Sequence, residues 1–216
     1  MKTLLAFELS PDPCTIALAR EDGRRFQRTF QGERGRALIH EMDALLTEAE
    51  VAREQIGGII VGIGPGSYTG LRIGCTAARS LSFALSIPCA GMSSFRAAIA
   101  ATTEGLTHVV LDAYRGEVYH GIGQVEQGEV RMLEEARVCQ LEDLQTLHDA
   151  ERVLCDARLM QALADYSPQP YLPTAEHLLQ LALQAGASYD GQGFDQLEEA
   201  EPLYLRAAAF RPASGK

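Results

Sequence analysis

The sequence predicts an α/β fold of two related lobes, and three observations carry that prediction. Both halves open with short apolar runs that turn back at glycine signals, Asp22-Gly23 in the first half and Arg115-Gly116 in the second. Beyond each turn, helix-like and strand-like segments alternate, the pattern of an α/β protein. Residues 61–74, Val-Gly-Ile-Gly-Pro-Gly-Ser-Tyr-Thr-Gly-Leu-Arg-Ile-Gly, take a buried strand through a glycine loop into a helix.

In order, residues 4–10 and 15–20 are apolar strands, and 24–30 returns as a third. Leu38, Met42, Leu45, Leu46 and Ala49 fall at i, i+4, i+7, i+8 and i+11, an amphipathic helix. Gly57-Gly58 breaks the pattern, and 59–63 is a buried strand. A helix follows to Leu85, then a short strand at 88–92 and a helix at 95–101 capped by Ser93 or Ser94. The second unit begins near Thr107. It runs strand 108–113, strand 117–124, turn Gln127-Gly128 and strand 129–140. A short helix at 141–150, strand 152–155 and helix 158–166 come next. Residues 167–173 are a proline-rich linker. Thr174 caps the last helix, with Leu178, Leu181, Ala182 and Ala185 inward and Gly186 as its stop. Residues 188–196 are expected to be a mobile loop.

Gly64, Gly66 and Gly70 permit close turns, and Ser67 and Thr69 are natural helix N-caps. Amide groups gathered at a helix N-terminus suit an anion. The established phosphate motifs do not fit. No Gly-Lys-Ser/Thr follows, no acidic residue stands about 20 positions on, and the glycine spacing around Ser67 is not that of a nucleophile elbow. From spacing alone, a tight strand-to-helix turn is the favoured account of the loop.

The helix after the loop is more informative. From Thr69 to Ser86 its only charges are Arg72 and Arg79. Leu71, Cys75, Ala78, Leu81 and Leu85 form one apolar stripe, and Ile73, Ala77, Ser80 and Ala84 a second of mostly small residues. A surface helix ordinarily has a single apolar stripe. This one is expected to be buried on two sides, by its own sheet and by a second helix or another protein.

The chain has 216 residues, 46% of them hydrophobic, and a net charge of −10. That length suits one large or two small domains. Five scattered cysteines without a Cys-x-x-Cys pair read as reduced, cytoplasmic thiols. Neither a signal peptide nor a membrane span is expected. Arginines gather at 20, 24, 25, 28, 34 and 36, yet Glu21, Asp22 and Glu33 interrupt them. The acidic balance disfavours independent nucleic-acid binding. No two of His40, His108, His120, His148 and His177 are three or four apart, so no helix offers a paired metal site. Glu8, Asp112 and Glu117 are candidate general acids, but no nucleophile, base and stabiliser set assembles around them.

Residues 62–94 resemble the bacterial TsaB (YeaZ) family. The family pattern Gly-Pro-Gly-Ser-Phe/Tyr-Thr-Gly-x-Arg-Ile-Gly stands at Gly64 to Gly74. Ile87-Pro88 and Gly91-Met92-Ser93-Ser94 follow in the family's order, as do Leu111-Asp-Ala-Tyr-Arg-Gly-Glu-Val-Tyr119 and Glu201-Pro-Leu-Tyr-Leu-Arg206. The resemblance implies the two-lobed fold of actin, sugar kinases and Hsp70 (ASKHA), with mixed sheets flanked by helices. It implies an N-terminal lobe at 1–104 with the glycine loop and association helices, and a C-terminal lobe with its tail at 105–216. It further implies a non-catalytic partner of a TsaD-like catalytic subunit and a TsaE-like ATPase in making threonylcarbamoyladenosine at tRNA position 37. The chain would be a homodimer when alone, with tRNA reached only through the complex. The TsaD His-x-x-x-His motif is absent here.

Two sets of site residues follow from the resemblance. Glu8, Gly64, Gly66, Ser67, Thr69 and Gly70 would form a vestigial nucleotide or anion loop, with weak ATP or ADP binding at most. Leu38, Met42, Leu45, Ile73, Ala77, Ser80, Leu81 and Ala84 would form the partner interface. Three departures from the family bear on this. The first strand ends Glu8-Leu9-Ser10 where Asp-Thr-Ser is usual, Glu33-Arg-Gly-Arg36 replaces a His-Ser-Glu stretch, and Tyr114 replaces a common Arg. The competing reading is a small enzyme of the same fold, a phosphotransferase or a glycoprotease-like peptidase. The missing histidine spacing argues against the peptidase, and Leu9 against the kinase.

Overall fold

A computed structural model describes residues 1–144, 147 and 150–205. Two five-stranded mixed sheets form its frame, and they share one topology. The first has the order β3-β2-β1-β4-β5, from β1 (Thr3–Glu8), β2 (Cys14–Arg20), β3 (Arg25–Phe30), β4 (Ile56–Gly64) and β5 (Cys89–Ser93). The second has β8-β7-β6-β9-β10, from β6 (Gly105–Asp112), β7 (Glu117–Glu126), β8 (Glu129–Gln140), β9 (Arg152–Cys155) and β10 (Gln169–Pro170). In each, three strands pair antiparallel as consecutive hairpins, and the first of them then pairs in parallel with the fourth. The repeat is one of topology rather than of sequence. It is the pair of mixed sheets flanked by helices that the resemblance implies.

Side-chain alternation sorts the core into layers. Leu5, Phe7, Ile16, Leu18, Ile59 and Val61 face α1 (Arg34–Glu48) and α2 (Tyr68–Leu85). Leu4, Ala6, Ala17, Ala19 and Ile60 face the other way, onto α4 (Ala175–Gln184). The short helix α3 (Ser94–Ala100) joins the two sheets. Its Ala97 packs with the α4 layer, while Phe95, Ala98 and Ile99 pack on Val109, Leu111 and Leu154 of the second sheet. The strands of the two sheets thus divide between residues 93 and 105. The last helix crosses back, however, and covers the first sheet, although it was expected with the second lobe. Thr174 does cap it, its Oγ1 accepting from the His177 amide at 3.3 Å, and the Ala175 amide is tied to Thr15 Oγ1 of β2 at 2.8 Å.

Four other local expectations are corrected. Gly57-Gly58 does not break the helix, which already ends at Glu48, but lies inside β4. A Cβ at Gly57 would strike the Tyr189 carbonyl, and one at Gly58 the Phe194 ring. The glycines therefore make room for residues 188–196, which are a packed turn with Phe194 in the core. Residues 157–163 form successive turns and 164–166 a 3-10 turn in place of an α-helix. Asp156 holds that start, its carboxylate accepting from the amides of Arg158 and Asp112 at 2.9 and 2.7 Å. The helix expected at 141–150 begins as a 3-10 turn at Leu141–Asp143; residues 145, 146, 148 and 149 of it lie outside the described residues, as does Arg206. Among the described residues no helix is long and apolar enough to cross a membrane.

Candidate functional site: a cleft and a helix face

The glycine loop closes α2 onto β1. Ser67 is the N-cap, its Oγ accepting from the Gly70 amide at 3.3 Å, while its own amide donates to Ser10 O at 3.0 Å. A Cβ at Gly70 would run into the Leu9 carbonyl, and one at Gly66 would lie 2.5 Å from Ser10 Cβ. Leu9 is buried beneath the helix, 3.1 Å from the Cβ position of Gly74. These glycines serve close backbone approach between strand and helix. Gly64, at φ +100°, also meets the conformational need read from the sequence.

Glu8 is fully buried, and it does not line the cleft between the sheets. Its Oε1 accepts from the Ser10 amide at 2.9 Å and its Oε2 from Ser94 Oγ at 2.7 Å. Gly62 leaves the space the carboxyl occupies. Burial raises its pKa, and the bonds from Ser10 and Ser94 lower it by less. The extra methylene of Glu relative to Asp is thus turned back into the first sheet's own packing.

The cleft has a volume of about 130 Å³. Ser10, Asp12, Arg34, Gly66 and Ser67 line one wall, and Asp112, Tyr114, Asp156 and Arg158 the other. Arg34 is a brace: it donates to Ser67 Oγ at 3.3 Å, Pro11 O at 3.2 Å and Cys14 Sγ at 3.2 Å. Opposite, Arg158 Nη1 donates to Tyr114 OH at 3.1 Å and to Asp112 Oδ2 at 3.4 Å, and its guanidinium stacks over the Tyr114 ring. No histidine lines the cleft. The thiol that Arg34 contacts, Cys14, is buried and has its pKa raised by burial despite Arg34. Among the described residues no group of three or more His, Cys, Asp or Glu is placed to hold a metal. Of the loop residues named from sequence, Gly66 and Ser67 reach the cleft. Glu8, Gly64 and Gly70 are buried away from it, and Thr69 is exposed. Arg34, Asp156 and Arg158 were missed as site residues, because only the fold brings positions 120 residues apart together.

Two more of the early arginines, Arg20 and Arg28, are committed within the chain. Arg20 is buried, donates to Ala49 O at the end of α1 at 2.8 Å, and pairs with Asp22 at 3.0 Å. Arg28 pairs with Glu41 and Glu48 of α1 at 2.6 and 3.1 Å.

The second feature is the outer surface of α1 and α2. Leu38 and Leu45 belong to the core beneath α1, which removes them from any surface; they point at the sheet, seven residues apart. Met42, Ile73, Ala77 and Leu81 are half-buried where the two helices adjoin, and Ser80 and Ala84 are exposed. The outward apolar groups are ones the stripe analysis passed over. Phe83 is 89% exposed and Ile39 53%. A lone aromatic between the two stripes carries no periodic signal of its own. The other flank of α2 is bounded by residues 198–204, where the Tyr204 ring stacks on Tyr68 at 4.7 Å. The helix therefore is walled on two sides, by α1 and by this segment of its own chain.

Comparison with known proteins agrees with the resemblance. A family model described as TsaD: tRNA N6-adenosine threonylcarbamoyltransferase matches residues 34–198. The tRNA threonylcarbamoyladenosine biosynthesis protein TsaB of Bacillus subtilis is 36% identical over 58% of this chain and 57% of its own length. The Escherichia coli protein of the same description is 28% identical over 99% of both chains. An uncharacterized Mycobacterium tuberculosis protein is 30% identical over 98% of this chain and 95% of its own. The solved structure of YeaZ from Pseudomonas aeruginosa superposes with a TM-score of 0.75 at 31% identity, over 95% of this chain and 100% of that one. With that family model across most of its length, and relatives and a solved structure of this kind, the chain belongs to the TsaB (YeaZ) family.

Proposed function

We propose that this chain is a non-catalytic partner subunit in the formation of N6-threonylcarbamoyladenosine at position 37 of tRNAs that read codons starting with A. It acts in the cytoplasm beside a TsaD-like catalytic subunit, which performs the transfer, and a TsaE-like ATPase. Alone it pairs with a second copy through the α1–α2 face, and tRNA is met only through the complex. The two sheets are the cores of its two lobes. The observation that carries the reading is Phe83, 89% exposed on a helix otherwise walled in by its own chain, with Ile39 also exposed on α1. Large aromatics at the centre of a patch are the groups that anchor protein interfaces.

The second reading, a small enzyme of this fold, draws on the carboxylates and arginines of the cleft. The cleft's volume is against it, since a drug-sized ligand takes about 300–1,000 Å³, and so is the inward turn of Glu8. Weak ATP or ADP binding is the most we assign, with no resident cofactor or metal. The test is to sediment the purified chain alone and mixed with its host's TsaD-type subunit, and to assay threonylcarbamoyl transfer to tRNA. A mixed species that is active only when both are present supports the proposal. Transfer, ATP turnover or proteolysis by the chain alone overturns it.

A further inference from the structure

Residues 198–204 run along the groove between α2 and β5, the edge strand of the first sheet. Two main-chain bonds hold them, the Gly91 amide donating to Glu198 O at 2.7 Å and the Leu203 amide to Ile63 O at 2.8 Å, and the Ser93 amide donates to Glu198 Oε1 at 3.4 Å. A Cβ at Gly91 would strike the Glu199 carbonyl, so the strand accepts this segment only because glycine stands there. Two side-chain pairs fasten it to the helix, Tyr204 on Tyr68 and Glu201 to Arg79 at 3.1 Å, and both pairs are largely exposed. Ala200 is the residue of the segment that enters the core.

The attachment points lie on either side of the glycine loop. Ile63 is its entry and Tyr68 its exit, and Arg79 is a further eleven residues along the outward ridge of α2. We infer that residues 198–204 are a latch that opens as a unit while both sheets stay folded, and that the closed latch holds α2 in the pose a partner subunit binds. The coupling rests on the docking reading above; the opening does not. A segment held by few main-chain bonds, solvent-exposed pairs and one small buried side chain is of the kind that opens below global unfolding. β4 beneath it is buried along its whole length. A partner that binds only the closed latch must slow its opening in the complex, while the apparent Kd rises only when the latch is open in a large share of the chains.

Native-state hydrogen exchange on the full chain tests this, alone and with the TsaD-type subunit. The Gly91 and Leu203 amides should exchange together and at least about 100-fold faster than the slowest amides of β4. The bound partner should slow both at least about tenfold in the wild type, and Tyr204→Ala should speed both about tenfold and leave the β4 amides unchanged. Glu201→Gln should do the same to a smaller degree, and it serves if Tyr204→Ala fails to fold. Exchange at Gly91 and Leu203 that merges with the β4 amides overturns the latch. Separate opening that the bound partner does not slow overturns the coupling. A wild-type chain that binds no partner overturns the docking reading and the coupling with it, and the exchange rates still decide the latch.

Discussion

Glu8 and Ser94 meet inside the first sheet, Glu8 Oε2 accepting from Ser94 Oγ at 2.7 Å, and Ser10 Oγ lies 3.5 Å from the same hydroxyl. The bond joins the end of β1 to the first residue of α3, the helix shared by both sheets. An acid at the end of the first strand is therefore an internal tie between layers. It is withdrawn from the cleft where a carboxylate could meet a ligand.

Loss of that tie has a size and a pH dependence. Glu8→Ala should cost about 1–3 kcal/mol, the usual penalty for orphaning buried donors. The folded pKa of Glu8 is raised by burial. Its contribution is thus complete below the unfolded value near 4.5 and is lost as pH rises toward the folded value. Glu8→Gln, which is never ionised, should flatten that part of the stability profile. Urea denaturation from pH 4 to 8 checks this, and an unchanged slope in Glu8→Gln would refute it. Partner binding should be unaffected.

A second buried group works with the opposite sign. His108 Nδ1 and His120 Nε2 are 3.1 Å apart between β6 and β7, and both rings are buried. Burial, then the neighbouring His108 and Arg137, lower the pKa of His120 from 6.5 to about 4. Protonation therefore favours the unfolded chain. This contribution is whole above pH 6.5 and drains away as pH falls toward about 4. His120→Leu should reduce the slope in that window, leaving the share of His177, which burial also lowers, and the Glu8 slope in place. Denaturation midpoints of the single variants separate the two.

The reach of the sequence follows from how local each signal is. Hairpins, α1, α2 and their inward stripes were readable because periodicity and turn residues lie within one element. Gly57-Gly58 was misread because its cause, Tyr189 and Phe194, is more than 130 residues away. The glycine loop was recognised, but its reason was not. Spacing shows that glycine is needed and cannot say whether an anion or the Leu9 carbonyl is what comes close. Of the arginines at 20–36, Arg20, Arg28 and Arg34 found their partners, Ala49, Glu41, Glu48 and the cleft, only through the fold, while Arg24, Arg25 and Arg36 are exposed.

That distinction yields a contrast between two glycines of one helix. Gly70→Ala would press a methyl into the main-chain carbonyl of Leu9, which cannot swing away. Gly74→Ala meets only the side chains of Leu9 and Val61 at 3.1 and 3.3 Å. We expect about 3 kcal/mol of destabilisation or more for the first, and about 1 kcal/mol or less for the second. Thermal unfolding of both variants measures it. Equal effects would mean that the helix does not sit against β1 as described.

The docking face is best probed at the residue that its own fold needs least. Phe83 is 89% exposed, so Phe83→Asp should leave circular dichroism and the melting temperature as in the wild type. If its ring is an interface anchor, truncation to a charge should cost at least about 2 kcal/mol of binding, roughly 30-fold in Kd. Ala77→Glu is a poorer probe, because Ala77 is half-buried against the core. A charge there should destabilise the fold itself by about 1–3 kcal/mol. Sedimentation of Phe83→Asp, alone and with the TsaD-type subunit, separates docking from folding. A folded variant that still associates with wild-type affinity would move the interface off the outward ridge of α2.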